Sequence, residues 1–233
     1  MTQDTVRPSG PAAPAAPAAG WSLVLPLKPL ARAKSRLAPF AGPHRPDLAL
    51  SFALDTVGAA LAAPGVGRVL VVTRDAGAGA RLAALGALIV DDEPGGGLNE
   101  ALAHGAATAL LLAPRAPLAA LSADLPALRP DELARVLGAA PATGRAFLAD
   151  APGVGTTLLA CAPGSVLAPA FGGGSRARHA AGGARELRLP RVESVRRDVD
   201  TGEDLAEALA LGVGPHTTAL AARLGYLPPR RPR

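Results

Sequence analysis

Cysteine is nearly absent: Cys161 is the single one in 233 residues. That excludes an internal disulfide framework and a cysteine-built zinc site, and it leaves Cys161 as a small buried apolar residue on a strand. Aromatic residues make up only 3% of the chain, so the core must be aliphatic, built from Ala, Leu and Val in helix-covered layers. The same scarcity removes the interleaved rings on which nucleic-acid bases stack. The arginines are scattered, so a net charge of +5 and a pI near 10.5 point to phosphorylated small molecules rather than to a polyanionic strand. Lysine is scarce beside arginine. No apolar run approaches the roughly 20 residues of a membrane span, Ala106 to Leu112 being short and closed off at Pro114. Residues 1–20 alternate Pro and Ala with neither a basic leader nor a signal-peptide core, and read as a disordered tail. The expectation is a cytoplasmic protein with one domain over residues 21–226, followed by a basic Pro-Arg tail over 227–233.

What is present is an alternation of apolar runs and amphipathic segments. Leu118 to Leu121 is apolar on both faces, as in a strand buried inside a parallel sheet, and Asp124 is the first charge after it. Leu125-Pro126 stops the strand, and Pro130-Asp131-Glu132 opens a helix, with proline and acids suited to its first turn. A carboxylate at the end of a central strand lies where open α/β sheets bind ligands, and there it can hold a hard cation that bridges phosphates. The competing reading of Asp124 is a plain turn cap.

Trp21 to Leu27 predicts a first strand, and Lys28, Arg32, Lys34 and Arg36 gather in the loop that leaves it, placed to neutralise a triphosphate. Helices are expected over 47–63, 76–85, 98–112, 202–211 and 216–224. Further strands are expected over 68–73, 87–90, 145–150, 156–162, 186–190 and 194–200. The regular alternation argues for parallel βαβ units. Asp91 to Glu100 carries three glycines before a helix but matches neither GxGxxG nor a Walker A loop, so only its position after a strand favours a nucleotide over a flexible turn. Gly153-Val154-Gly155 followed by Thr156 and Thr157 suits a carboxylate or phosphate pocket, and which of the two hydroxyls faces the ligand is left open. Phe171 to His179 (FGGGSRARH) has the character of an anion-binding turn. His179 reads as a phosphate or structural contact rather than a general acid, because no partner carboxylate can be assigned to it. On a strand ending at 200, Asp198 and Asp200 would share a face, costly unless a cation relieves their repulsion. Thr201 to Asp204 is a capping box for the next helix.

Six stretches occur together in order: LPLKPLARAKSRL (25–37), PGGGLNEAL (94–102), SADLPAL (122–128), GVGTTLL (153–159), FGGGSRARH (171–179) and RDVDT (197–201). In them the chain resembles nucleotidyltransferases of the glycosyltransferase-A-like fold, and within these the CofC/FbiD family of guanylyltransferases in coenzyme F-420 biosynthesis. The resemblance implies a three-layer αβα fold of the α/β class with a mixed, mostly parallel sheet. It implies transfer of GMP from GTP to phosphoenolpyruvate or 2-phospho-L-lactate, with release of pyrophosphate. It further implies Mg²⁺ on Asp124, Asp198 and Asp200, phosphoenolpyruvate on Thr156, Gly172 and Ser175, and charge neutralisation by Lys28, Lys34 and Arg36. By position, Gly96, Gly97 and Asn99 would bind the nucleotide. No nucleic-acid or membrane partner is expected, and the product would be handed to the next enzyme of the pathway. The alternative is a related nucleotidyltransferase acting on 3-phosphoglycerate, a sugar phosphate or molybdopterin. The Gly-rich first loop usual in the sugar and molybdopterin enzymes is missing here.

Overall fold

The computed structural model describes residues 20–91 and 96–226; the expected tails, and the Asp92 to Gly95 part of the glycine loop, lie outside them. In chain order the elements are β1 (Trp21–Pro26), α1 (Ala38–Ala41), α2 (Arg45–Leu61), β2 (Val66–Val72), α3 (Ala76–Ala84), β3 (Leu88–Val90), α4 (Leu98–Leu112) and β4 (Leu118–Leu121). Then come α5 (Pro130–Gly138), β5 (Arg145–Ala149), β6 (Thr156–Cys161), α6 (Ser175–Ala181), β7 (Arg185–Glu186), α7 (Glu193–Arg196), α8 (Gly202–Leu211) and α9 (Pro215–Arg223).

Seven strands among the described residues form one sheet in the order β3-β2-β1-β4-β6-β5-β7. All neighbours are parallel except β6, which runs antiparallel to both β4 and β5. The chain builds outward from β1 to β3, then returns through α4 to place β4 on the other side of β1. That reversal is the topological switch point of the sheet, and ligand crevices of open α/β sheets open at the carboxyl ends of the strands flanking it.

Alternating side chains of each central strand feed two cores. Leu23 and Leu25 of β1 and Ala119 and Leu121 of β4 pack with α2, α3, α5 and α7. Val24, Leu118 and Ala120 pack with α4 and the 167–184 segment on the opposite face. Strands buried on both faces lose the alternation of polar and apolar residues, which is why these read as unbroken apolar runs. Helix α4 comes unusually close to the sheet because Gly105 faces Val24 and Val72: a Cβ there would stand 2.5 and 2.6 Å from their methyl groups. A third cluster, with Leu37, Phe52, Val199, Leu205 and Leu220, fastens α8 and α9 over the outer side of α2.

Two expected strands differ. Residues 194–200 form no strand: the buried carboxylate of Glu132 accepts the Ser194 backbone N–H at 3.0 Å and its hydroxyl at 2.8 Å, which takes Ser194 out of any ladder and sets the helical turn of α7. The strand expected at 186–190 shortens to Arg185–Glu186. The carbonyl of Leu187, which a longer strand would spend on a neighbour, accepts instead from the Arg196 guanidinium at 3.3 Å. No helix among the described residues is long and apolar enough to cross a membrane.

Candidate active site

The acid cluster is assembled by backbone ties. Beyond β4, the Leu125 N–H donates to Thr56 Oγ1 of α2 at 2.9 Å, and the Thr56 hydroxyl donates in turn to the Phe52 carbonyl at 2.7 Å, so the loop carrying Asp124 is locked to a buried helix. The Val199 N–H donates to the Asp124 carbonyl at 3.1 Å. That single bond draws Asp198 and Asp200 beside Asp124, although no strand holds them. Downstream, Thr201 caps α8 in a full capping box with Asp204, whose Oδ2 also accepts the Asp200 N–H at 3.1 Å. The pair of acids is thus pinned on both sides, by Glu132 through Ser194 and by Asp204.

The basic loop after β1 folds across this cluster. Two short 3-10 turns, Leu30–Arg32 and Ser35–Leu37, shape it, and the Arg45 guanidinium donates to the carbonyls of Ala33 and Ala31. Lys34 between the turns has φ +56°, a left-handed conformation that costs a non-glycine residue energy and that tertiary contacts must hold. Its ammonium donates to Asp124 Oδ2 and, at 2.8 Å, to Asp200 Oδ1, while Arg36 donates to Asp200 Oδ2 at 2.5 Å.

The electrostatics follow. Burial alone pulls the Lys34 pKa down, but Asp124 and Asp200 outweigh it and hold the pKa above its ordinary value. Burial works to raise Asp200, yet Lys34, Arg36 and Lys28 keep it below the usual carboxylate range. Lys34 pulls Asp198 down as well, but burial first, then the charges of Asp124 and Asp200, outweigh it and push Asp198 up to about 7.

Among the described residues no three carboxylate, imidazole or thiol groups already stand arranged to hold a metal ion. The donor set nevertheless suits a hard divalent cation. Oδ1 of Asp124 is buried without a hydrogen-bond partner among the described residues, and three carboxylates line the cleft beside the buried ammonium of Lys34.

The other half of the site is built by the turn after β5. Asp150 accepts the N–H groups of Val154 (2.8 Å) and Gly155 (2.7 Å), and a Cβ on Gly155 would collide with the same carboxylate at 2.3 Å. The ladder then slips: Leu148 pairs with Leu158, but Ala149 pairs with Thr156, so Thr157 is the extra residue of a β-bulge. The bulge puts Thr156 on the side of Phe147, where His179 of α6 meets it: Thr156 Oγ1 lies 2.9 Å from His179 Nδ1. Thr157 is fully buried and its hydroxyl has no partner among the described residues. Of the two threonines between which the sequence left the choice open, Thr156 lines the cleft.

Lys28, Lys34, Arg36, Asp124, Asp198, Asp200, Thr156, Gly172 and Ser175 all line one cleft of about 620 Å³ at the switch point of the sheet. The three residues expected to bind the nucleotide stand beside Leu98, which does line the cleft. Gly96, Gly97 and Asn99 do not line this cleft, and Asn99 spends its amide on the backbone of Phe171, accepting its N–H at 2.7 Å and donating to its carbonyl at 3.2 Å. Glu132 and Asp204 read from the sequence only as helix-start acids and Asp150 only as a strand end, because each supports the site by holding backbone amides. Only the capping pattern at Thr201 to Asp204 carries a local sequence signal for such a role.

Converging acids and cations beside a hydroxyl- and glycine-lined pocket suit the transfer of a nucleotidyl group between polyanions, and fold and site together define a nucleotidyltransferase. Residues 21–227 match the family described as guanylyl transferase CofC like. The chain belongs to that family. It is 68% identical to a phosphoenolpyruvate guanylyltransferase from Streptomyces coelicolor, covering 88% of this chain and 97% of the relative. It is 62% identical to another from Thermomonospora curvata, covering 90% and 92%. Solved structures with the same fold include a nucleotidyl transferase from Methanothermobacter thermautotroptrophicus (TM-score 0.54, 18% identity, 81% of this chain and 95% of the other). Another is Rv0371C from Mycobacterium tuberculosis in complex with manganese (TM-score 0.50, 24% identity, 83% and 99%).

Proposed function

We propose that this chain transfers GMP from GTP to phosphoenolpyruvate, the reaction named for its relatives at 62% and 68% identity, in the coenzyme F-420 route that the sequence motifs imply. The observation that supports it most is the joining, in one cleft, of the Asp124, Asp198 and Asp200 cluster with the Thr156, Gly172 and Ser175 pocket. In this reading an oxygen of the acceptor phosphate attacks the α-phosphorus of GTP. A new P–O bond forms, the bond from the α-phosphorus to the bridging oxygen breaks, and pyrophosphate leaves with the electron pair. The attacking phosphate is already an anion, so no general base is needed and the chain's task is to place two polyanions in line. Thr156, Gly172 and Ser175 hold the acceptor. Lys28, Lys34 and Arg36 lower the repulsion between the anions and stabilise charge gathering on the departing pyrophosphate. Asp124, Asp198 and Asp200 are the residues that would hold Mg²⁺. When bound, the ion supplies Lewis-acid withdrawal of charge from the phosphate oxygens.

The test is pyrophosphate release by the purified protein with Mg²⁺ and either GTP or ATP, offered phosphoenolpyruvate, 2-phospho-L-lactate or 3-phosphoglycerate in separate reactions. Release with GTP that depends on phosphoenolpyruvate is the expected result. Equal use of ATP would remove the guanylyl assignment, and release with 3-phosphoglycerate alone would reassign the acceptor.

A further inference from the structure

We propose that His179 is a positioning residue: its neutral Nδ1–H tautomer donates to Thr156 Oγ1, so that the Thr156 hydroxyl proton is left to point into the cleft as a donor to an oxyanion of the acceptor. The argument begins at the other ring nitrogen. The backbone N–H of Ala170 lies 3.0 Å from His179 Nε2, and a backbone N–H can only donate. Nε2 therefore carries no proton, which in a neutral imidazole places the proton on Nδ1. Nδ1 is 2.9 Å from Thr156 Oγ1 and must be the donor in that bond. The hydroxyl, having accepted from the ring, keeps its own proton for another acceptor, and among the described residues none is hydrogen-bonded to it. Thr156 lines the cleft.

The surroundings keep the ring in this state. His179 is 2% exposed, with the Phe171 ring edge-on at 5.0 Å and Phe147 at 5.8 Å. Burial, then the guanidinium groups of Arg178 and Arg145, push its pKa down to about 4, so the ring is neutral at any working pH near 7. The same histidine ties down Ala170, while Asn99 grips Phe171 from α4, so the approach to Gly172 is held from two helices. A chemical preference follows. The acceptor group seated at Thr156 must be a hydrogen-bond acceptor, a carboxylate or phosphate oxygen, and a hydroxyl group there would gain less.

This inference rests on Thr156 touching the acceptor, and the experiment separates the two. Long-range ¹H–¹⁵N spectra of the wild-type protein read the tautomer without any substitution. A neutral ring protonated at Nδ1 is expected at pH 7, and protonation at Nε2 would overturn the role. In steady-state kinetics, Thr156→Val should raise the phosphoenolpyruvate KM by about 10-fold or more, the scale of one hydrogen bond to a charged group, with the GTP KM unchanged. His179→Met keeps a weak sulfur acceptor for the Ala170 N–H but has no donor for Thr156, and should raise the phosphoenolpyruvate KM by about 5-fold or more. The double variant should be no worse than Thr156→Val alone, because the histidine acts only through that hydroxyl. Effects that multiply, or a phosphoenolpyruvate KM unmoved by His179→Met, would overturn the positioning role. No change on Thr156→Val would overturn the placement of the acceptor at Thr156 instead, whichever tautomer is found.

Discussion

Lys34 stands between two carboxylates of the acid cluster. It is well buried, in a left-handed backbone conformation, and bonded to both Asp124 and Asp200. Lys34→Met keeps the length of the side chain and removes the charge, which leaves converging acids without their buried counter-ion. The variant is expected to lose about 1–3 kcal/mol of stability in chelator, to regain more of it on adding Mg²⁺ than the wild type gains, and to turn over at least about 100-fold more slowly. Thermal melts with and without Mg²⁺ check the first two, and pyrophosphate release checks the third. A metal response equal to that of the wild type would mean that Lys34 does not share its site. His179 yields a pH prediction whose sign follows from its depressed pKa. The folded state holds fewer protons on this ring than the unfolded state, so its contribution is fully present above about pH 6.5 and is lost as pH falls toward about 4. The loss should amount to about 2–3 kcal/mol for the wild type and be missing from His179→Gln, as read by urea unfolding of the two proteins at pH 7, 5.5 and 4.5.

Elements position these residues more than they supply them. The bulge at Thr157 turns one hydroxyl of β6 toward the cleft, and the helical turn of α7 delivers two acids that no strand carries. Helix α4 sets the spacing between the sheet and the loop that Asn99 grips, and it does so through the missing side chain of Gly105. Adding one methyl there should destabilise the protein. The gain of about 1 kcal/mol in helix propensity is outweighed by overpacking against two valines whose branched side chains are stiff, for a net loss of about 1–3 kcal/mol. Gly105→Ala should therefore melt about 2–10 °C lower. An unchanged or higher melting temperature would show that α4 can lift from the sheet at no cost. The capping box at Thr201 and the helix over 98–112 were legible in the sequence because each is written in residues three or four positions apart. The bulge was not, since it exists only in the pairing of β5 with β6.

For the whole molecule, part of the acid cluster's charge is already offset by Lys34 and Arg36. Chelation with EDTA should therefore stop turnover while lowering the melting temperature by no more than about 2 °C, a difference that calorimetry resolves. Collapse of the fold in EDTA would make the metal structural rather than catalytic. The family match spans residues 21–227. A chain trimmed to 20–226 is expected to keep pyrophosphate release within about two-fold of the full length, and a larger loss would give the ends a part in the reaction.

The sequence by itself determined the layered α/β class, the order of nearly every element, the family, and the nine residues that meet in the cleft. Apolar runs, turn residues and caps are local properties, and the ordered motifs carry the rest. Tertiary structure decided which of two adjacent threonines faces the cleft, and that Asn99 clamps Phe171 instead of lining the cleft. It also turned residues 194–200 from an expected strand into a helical turn and an acid-bearing loop, and set Lys34 between Asp124 and Asp200. Apart from the bulge, each of these depends on a hydrogen bond or ion pair between residues tens to more than a hundred positions apart, as with Glu132 and Ser194 or Lys34 and Asp200. No periodicity along the chain encodes a partner at that distance; only the closed fold brings the two together.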